Sequence, residues 1–342
     1  MSVYVQKGVR TVPSTARNVT AAVAAAALAA LAARAAVSLR GRQARSAMLL
    51  RRGAGLAPVP PALPPGRVMA LPGRGEVFVR DSGGTSSRPA VLLIHGWTAS
   101  ADLNFFPVYA RLSESYRVIA LDLRGHGRGM ESMEPFSLED CADDAAALLD
   151  QLSAGRVIVV GYSMGGPVGQ LLARRHPGQV AALVMQATAL EWRHTARERA
   201  VWRLLPVLDL SLRFGVGAGL VDRVLRKAVE ESSELDGYWP WLAAESRRAT
   251  ARDLVAAGRA LSRYDARPWA GQLDIPAAML ITTRDHLVRP AKQRELAEAL
   301  RAFVLEIDAD HDLPLVKGGE YARLTKLAVD TVAAAAGLKP AR

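Results

Sequence analysis

The chain has 342 residues, half of them hydrophobic and 23% charged, with a formal net charge of +11. That composition can bury a large core and excludes global disorder, and the length fits one α/β domain with appendages. The positive charge invites a nucleic-acid reading, but the eleven basic residues ahead of Glu76, the first acidic one, equal the whole excess. Beyond them 33 basic residues face 33 acidic ones, so the body is balanced, implies no basic groove, and argues against nucleic acid as a partner.

Taken from the start, Val19 to Ala33 is an alanine-rich run, preceded by Lys7, Arg10 and Arg17 and followed by six arginines from Arg34 to Arg52. A soluble helix, docked or loose, is the plainest reading, because alanine has the best helix propensity. Association of residues 1–52 with a membrane surface is a second, since arginines meet anionic lipid. Too short and too poor in strongly apolar residues, the run makes a weak membrane span. A cleaved signal is a third reading, opposed by the arginines just beyond the formal Ala33-Arg34-Ala35 site. If the run spans, the heavier arginine flank leaves the body in the cytoplasm. Pro58, Pro60, Pro61, Pro64 and Pro65 then favour an extended spacer. We place the boundary of a basic N-terminal segment, residues 1–66, at its end.

From Arg67 to Arg80, two short apolar stretches around Pro72-Gly73-Arg74-Gly75 predict an antiparallel hairpin at a sheet edge. Ala90 to Ile94, Arg117 to Leu121, Arg156 to Val160 and Ala181 to Met185 are aliphatic runs without polar alternation, the pattern of strands covered on both faces. Amphipathic stretches at Pro107–Ser115, Leu138–Ser153 and Met164–His176 separate them, which implies a doubly wound, mostly parallel α/β sheet with right-handed crossovers. Cys141, the sole cysteine, falls in the second of these stretches. It excludes an intrachain disulfide or a thiolate metal cluster, fits a reducing cytoplasm, and reads as a small core residue.

After Met185 the strands stop for about 80 residues that are helical in pattern and rich in aromatics: Trp192, Trp202, Tyr238, Trp239 and Trp241. We read 188–269 as an inserted helical cap between two parts of a core, 67–187 and 270–342. Its aromatics either line an apolar pocket or pack the cap's own small core. Ala277–Thr282 resumes as a strand, Ala291–Leu300 as a helix, Phe303–Ile307 as the last strand, and Glu320–Ala336 as a closing helix.

The chemistry concentrates at the ends of these strands. Gly161-Tyr162-Ser163-Met164-Gly165-Gly166 follows the third aliphatic strand and opens a helix, the strand-to-helix setting of a G-x-S-x-G nucleophile elbow. Gly161 and Gly165 let strand and helix press together around Ser163. A serine hydroxyl needs a base, and the base needs an orienting acid. His311, just after the last strand in Asp308-Ala309-Asp310-His311-Asp312, is the candidate base. Of the other histidines, His95 and His126 sit in His-Gly turns, His176 at a helix end, His194 in the cap and His286 beside the candidate acid. That acid is Asp285, after the strand Ala277–Thr282, with Glu191 in reserve. Two N–H donors are needed for an oxyanion. Met164 supplies one and Trp97, in the His95-Gly96-Trp97 turn, the other.

Together with Asp122-Leu123-Arg124-Gly125-His126-Gly127, a turn that is usually structural, these motifs resemble the α/β-hydrolase family, specifically its single-cap esterase, lipase and haloperoxidase-like members. The resemblance spans about Arg67 to Ala336. It implies Ser163 as nucleophile, His311 as base, Asp285 as acid, Trp97 and Met164 as oxyanion donors, and no metal or organic cofactor. Serine at the elbow disfavours the aspartate-nucleophile branches. The function it implies is hydrolysis of a small-molecule ester with an apolar acyl or alcohol part, through an acyl-enzyme. Acyl transfer or C–C bond hydrolysis by the same three residues is the first alternative. A membrane-tethered, non-catalytic binding protein on the same scaffold is the second.

Overall fold

The computed structural model describes residues 61–84, 88–130, 135–203, 235, 238–246, 248 and 251–339. The expectations for the alanine-rich run, its arginine flanks and the first two prolines lie outside these residues. Pro64 and Pro65, by contrast, already bond to the body, through Arg80 Nη1 to the Pro64 carbonyl (2.8 Å) and Asp81 N–H to the Pro65 carbonyl (3.0 Å).

The expected hairpin is β1 (Gly66–Leu71) and β2 (Gly75–Asp81), paired antiparallel from Gly66 opposite Arg80 to Leu71 opposite Gly75. Then come β3 (Ala90–Ile94), two short helices, α1 (Ala101–Phe105) and α2 (Tyr109–Ser113), and β4 (Arg117–Leu121). They are followed by α3 (Leu138–Gln151), β5 (Val157–Tyr162), α4 (Gly165–Arg175) and β6 (Val180–Gln186). Within the region read as a cap the described helices are α5 (Ala196–Arg203), α6 (Trp239–Glu245) and α7 (Ala251–Arg263). The only pairing described there is an isolated bridge between Glu191 and Asp265. The chain closes through β7 (Ala277–Thr282), α8 (Pro290–Ala299), β8 (Phe303–Ile307), α9 (Leu313–Val316) and α10 (Gly318–Ala335). No helix among the described residues is long and apolar enough to cross a membrane.

The eight strands form one sheet in the order β1-β2-β4-β3-β5-β6-β7-β8. The pairings of β2 with β1 and β4 are antiparallel, and the other five are parallel. The unbroken aliphatic runs have the cause expected of them. Val91, Leu93, Ile158 and Val160 face one buried layer with Tyr109, Leu112, Tyr321 and Val329. Leu92, Ile94, Val157 and Val159 face the other, with Leu148, Leu172 and Leu296. Period two in a strand thus feeds two cores, each fully buried aliphatic chain contributing about 1.5–3 kcal/mol by leaving water. Cys141 sits fully buried in the second layer, on α3. Burial raises its thiol pKa far above the usual range.

Differences from the sequence reading are local. The strands expected at Arg156–Val160 and Ala181–Met185 run Val157–Tyr162 and Val180–Gln186. The helices α1 and α9 carry no amphipathic repeat long enough to announce them. Ser100 caps α1, its hydroxyl oxygen accepting from Leu103 N–H at 3.2 Å.

Candidate active site

Ser163, Asp285 and His311 follow the carboxyl ends of β5, β7 and β8, strands that the crossovers gather into one half of the sheet with β6 between the first two. His311 Nε2 lies 2.9 Å from Ser163 Oγ, and His311 Nδ1 lies 2.8 Å from Asp285 Oδ2. A carboxylate only accepts, so Nδ1 carries the ring proton and Nε2 is left to accept from the serine hydroxyl. Ser163 is 6% exposed, Asp285 is buried, and the His311 side chain keeps 17% exposure, so the three form a chain from core to cleft.

Each member is held by its surroundings. Ser163 has φ +51°, a left-handed conformation that L-residues avoid, at a cost of about 1–3 kcal/mol. The turn persists because its neighbours fit only there: a Cβ on Gly165 would overlap the Ile94 carbonyl oxygen, and one on Gly161 would come within 2.5 Å of the Gly165 carbonyl oxygen. Ser163 N–H is bonded to the Gln186 carbonyl of β6 at 2.9 Å. Around the histidine, Tyr162 O–H donates to the His311 carbonyl (2.9 Å), and Asp310 Oδ1 accepts from the N–H groups of His311 (2.7 Å) and His286 (3.1 Å). Burial would raise the Asp310 pKa, but these two N–H bonds and the His286 ring together hold it below the usual carboxylate value.

The His95-Gly96-Trp97 turn lies against the serine. A Cβ on Gly96 would stand 3.0 Å from Ser163 Cβ, and Gly96 N–H is bonded to Asn104 Oδ1 of α1 at 2.8 Å. Among the described residues, neither the Trp97 nor the Met164 N–H has an acceptor. Met164 also stands at the first turn of α4, where the helix dipole is positive. His95 does not face the cleft. Its Nδ1 donates to the Gly96 carbonyl (2.8 Å) and its Nε2 accepts from Leu123 N–H (2.9 Å), while burial pushes its pKa down to about 4.

Comparison with known proteins gives this geometry a family. The alpha/beta hydrolase fold family model matches residues 89–204. A pimeloyl-[acyl-carrier protein] methyl ester esterase of Neisseria meningitidis serogroup C is 31% identical over 225 residues, which is 64% of this chain and 83% of that protein. The chain belongs to the α/β-hydrolase fold family. A 2-(acetamidomethylene)succinate hydrolase of Mesorhizobium japonicum is 28% identical to this α/β-hydrolase over 259 residues, 73% of this chain and 86% of that protein. The crystal structure of an enol-lactonase from Burkholderia xenovorans superposes with a TM-score of 0.66 at 25% identity, covering 76% of this chain and 98% of that one.

The remaining candidates in this α/β-hydrolase have other partners. Glu191, the reserve acid, pairs with Lys292 Nζ at 2.6 Å and accepts from Arg193 N–H at 2.8 Å. His126 is buried against His95 and Phe136, His176 is on Asp143, His194 lies beside Arg267, and His286 is on Asp310. Four supporting residues carry no local sequence signal. Gln293 Nε2 donates to Thr282 Oγ1 (2.9 Å) and to Asp285 Oδ2 (3.3 Å), Thr282 O–H donates to Asp285 Oδ2 (2.8 Å), and Asn104 and Asp310 hold the two flanking loops. Each stands within eight residues of the group it holds, close in the chain as well as in space. That closeness, three residues for Thr282 and one for Asp310, is the single hint in the sequence.

Proposed function

We propose that the protein is a serine esterase that cleaves a small carboxylic ester through an acyl-enzyme on Ser163. The observation that carries this is the continuous relay from Ser163 Oγ through His311 to Asp285, at 2.9 and 2.8 Å. His311 Nε2 takes the Ser163 proton as Oγ attacks the ester carbonyl. The carbonyl oxygen, now negative, receives the N–H groups of Trp97 and Met164, which need no reorganisation to meet it. His311 returns the proton to the leaving alcohol. It then deprotonates a water that attacks the acyl carbon, so that serine is regenerated and free acid released. Asp285 stays ionised, fixing the ring's tautomer and the charge it transiently bears.

The helices between β6 and β7 serve as the cap over this cleft. Trp97 supports that reading: its ring lies 5.8 Å from that of Trp202 on α5, and its Nε1 donates to the Leu254 carbonyl of α7 at 2.7 Å. An apolar acyl or alcohol part would meet this aromatic wall. The related proteins whose names specify a methyl ester esterase and an enol-lactonase support ester-type chemistry.

Labelling by a fluorophosphonate probe tests the proposal, with Ser163→Ala as the control. The wild-type chain labels and the variant does not; a folded wild type that fails to label overturns the reading. On a p-nitrophenyl ester series, products are expected to be alcohol and free acid.

A further inference from the structure

An open cavity of about 500 Å³ lies between α5 and α7, and five of its seven lining side chains are arginines, all exposed: Arg193, Arg199, Arg203, Arg259 and Arg263. On each helix two of them are four residues apart, Arg199 with Arg203 and Arg259 with Arg263, so they stand one above the other on the same face. Like charges at that spacing destabilise a helix, and here two such pairs are turned toward one space. The positions of Arg203 and Arg263 in last turns suit the helix dipole, which accounts for one cation on each helix but not for the convergence.

Several arginines of the core are neutralised locally, whereas among the described residues Arg88 and Arg156 reach only carbonyls and Arg174 only the Trp269 ring. Arg80 is on Asp102, Arg117 on Asp81, Arg124 on Asp144 and Arg175 on Asp143. Among the described residues the side chains of Arg193, Arg203, Arg259 and Arg263 have no carboxylate, and that of Arg199 donates only to the His194 carbonyl. The balanced charge of the body therefore conceals a strongly cationic concavity, which the totals alone did not imply. A guanidinium is a permanent cation whose planar fork matches carboxylate and phosphate oxygens, and a volume near 500 Å³ is that of a small-molecule site.

We propose that this cavity binds a small, multiply charged carboxylate or phosphate group. Its one aromatic lining residue relates the group to the serine: Trp202 lines the cavity and packs its ring against Trp97, whose backbone N–H belongs to the proposed cleft. Two sources share this chemistry. The anion is either the remote end of the ester cleaved at Ser163, a source that rests on the esterase reading, or a separate anionic ligand of the cap.

Titration calorimetry of the full chain with citrate and with inorganic pyrophosphate tests the site. Wild type should show saturable binding that weakens at least about tenfold in Arg203→Gln/Arg259→Gln/Arg263→Gln and less in the matching lysine variant, since lysine keeps charge but not the fork. The N-terminal cations are present in all three proteins, so they contribute nothing to the difference. Removing like-charge pairs should leave the melting temperature of the glutamine variant no lower than that of wild type, and citrate should raise only the wild-type value appreciably. Absence of saturable binding to wild type by both probes, or equal affinity in the glutamine variant, overturns the proposal.

Two esters with one acyl group, their alcohols neutral or dicarboxylate-bearing, separate the sources. A wild-type preference in kcat/KM for the charged ester that falls about tenfold in the glutamine variant assigns the anion to the substrate. Citrate binding without such a preference assigns a separate ligand. Failure of the esterase reading has its own signature, no fluorophosphonate labelling while citrate still binds.

Discussion

The two carboxylate oxygens of Asp285 accept from five donors: Leu287 N–H and Val288 N–H on Oδ1, and Thr282 O–H, Gln293 Nε2 and His311 Nδ1 on Oδ2. Four of the five take no part in the proposed proton transfers. They hold the Asp285 carboxylate in place, and through it orient the His311 ring. An amide in its place must turn an NH₂ toward donors at one oxygen or the other. Asp285→Asn should therefore stabilise the wrong His311 tautomer and lower kcat on a p-nitrophenyl ester by about 10⁴-fold while fluorophosphonate labelling slows in parallel. A drop of less than tenfold would remove Asp285 from the relay. Gln293 is a positioning residue in the same sense, and its effect should appear in kcat with little change in KM.

Between elements, the join of α6 to the core is charged and buried. Glu245 is 2% exposed; it accepts from Ser100 O–H at 3.0 Å and pairs with Arg128 at 2.7 Å. Arg128 in turn reaches Asp102 and Asp122, both at 3.2 Å, and lies over the Phe78 ring at 4.4 Å. Trp241 and Leu242 of α6 bury against Leu103 of α1 beside this network. Replacing Glu245 by leucine leaves the buried Ser100 hydroxyl without its acceptor and takes one of three carboxylates from Arg128, which should cost about 1–3 kcal/mol in urea unfolding, whereas Glu245→Gln keeps an acceptor there and should cost less. Equal unfolding midpoints for wild type and Glu245→Leu would show that the join contributes no stability. This network also marks where sequence reading ran out. The aliphatic runs Ala90–Ile94 and Ala277–Thr282 are legible to the residue, because a strand buried on both faces has no polar position to blur its ends. The positions of the elbow, Asp285 and His311 are legible because each lies within a few residues of a strand end, that of β5, β7 or β8. Glu245, Arg128, Asn104 and Gln293 look like any surface residue until the fold is closed. The same holds for the cationic cavity: each arginine pair is visible at its four-residue spacing, but not that α5 and α7 face each other.

Across the molecule, stability and pH are linked through two buried rings. Burial drives His95 to a pKa of about 4, and burial together with the nearby His95 drives His126 to about 3, both from an ordinary value of 6.5. The unfolded chain thus binds protons below pH 6.5 that the folded chain refuses. Stability is fully present above pH 6.5 and falls on acidification, by up to about 1.4 kcal/mol per pH unit for each ring once well below that value. Asp81 and Glu198, both held near 2 against the burial that would raise them, chiefly by Arg117 and by the Thr195 N–H respectively, act in a more acidic window. Urea midpoints measured from pH 7.5 to 5 therefore isolate the histidines, and a flat profile over that range would contradict their burial as neutral rings.

The lone cysteine gives the same fold an internal clock. Cys141 is sealed inside the layer beneath α3, with its thiol held protonated, and the whole chain has no second sulfhydryl. A thiol reagent can reach it only through an opening of the helix layer against the sheet, so the native protein should react with one equivalent of reagent at the rate of that opening. Adding urea should accelerate trapping in step with global unfolding, whereas prompt reaction in native buffer would mean that this layer opens on its own. Time-resolved trapping of one sulfur thus reads the breathing of the sheet that carries Ser163, without any engineered label.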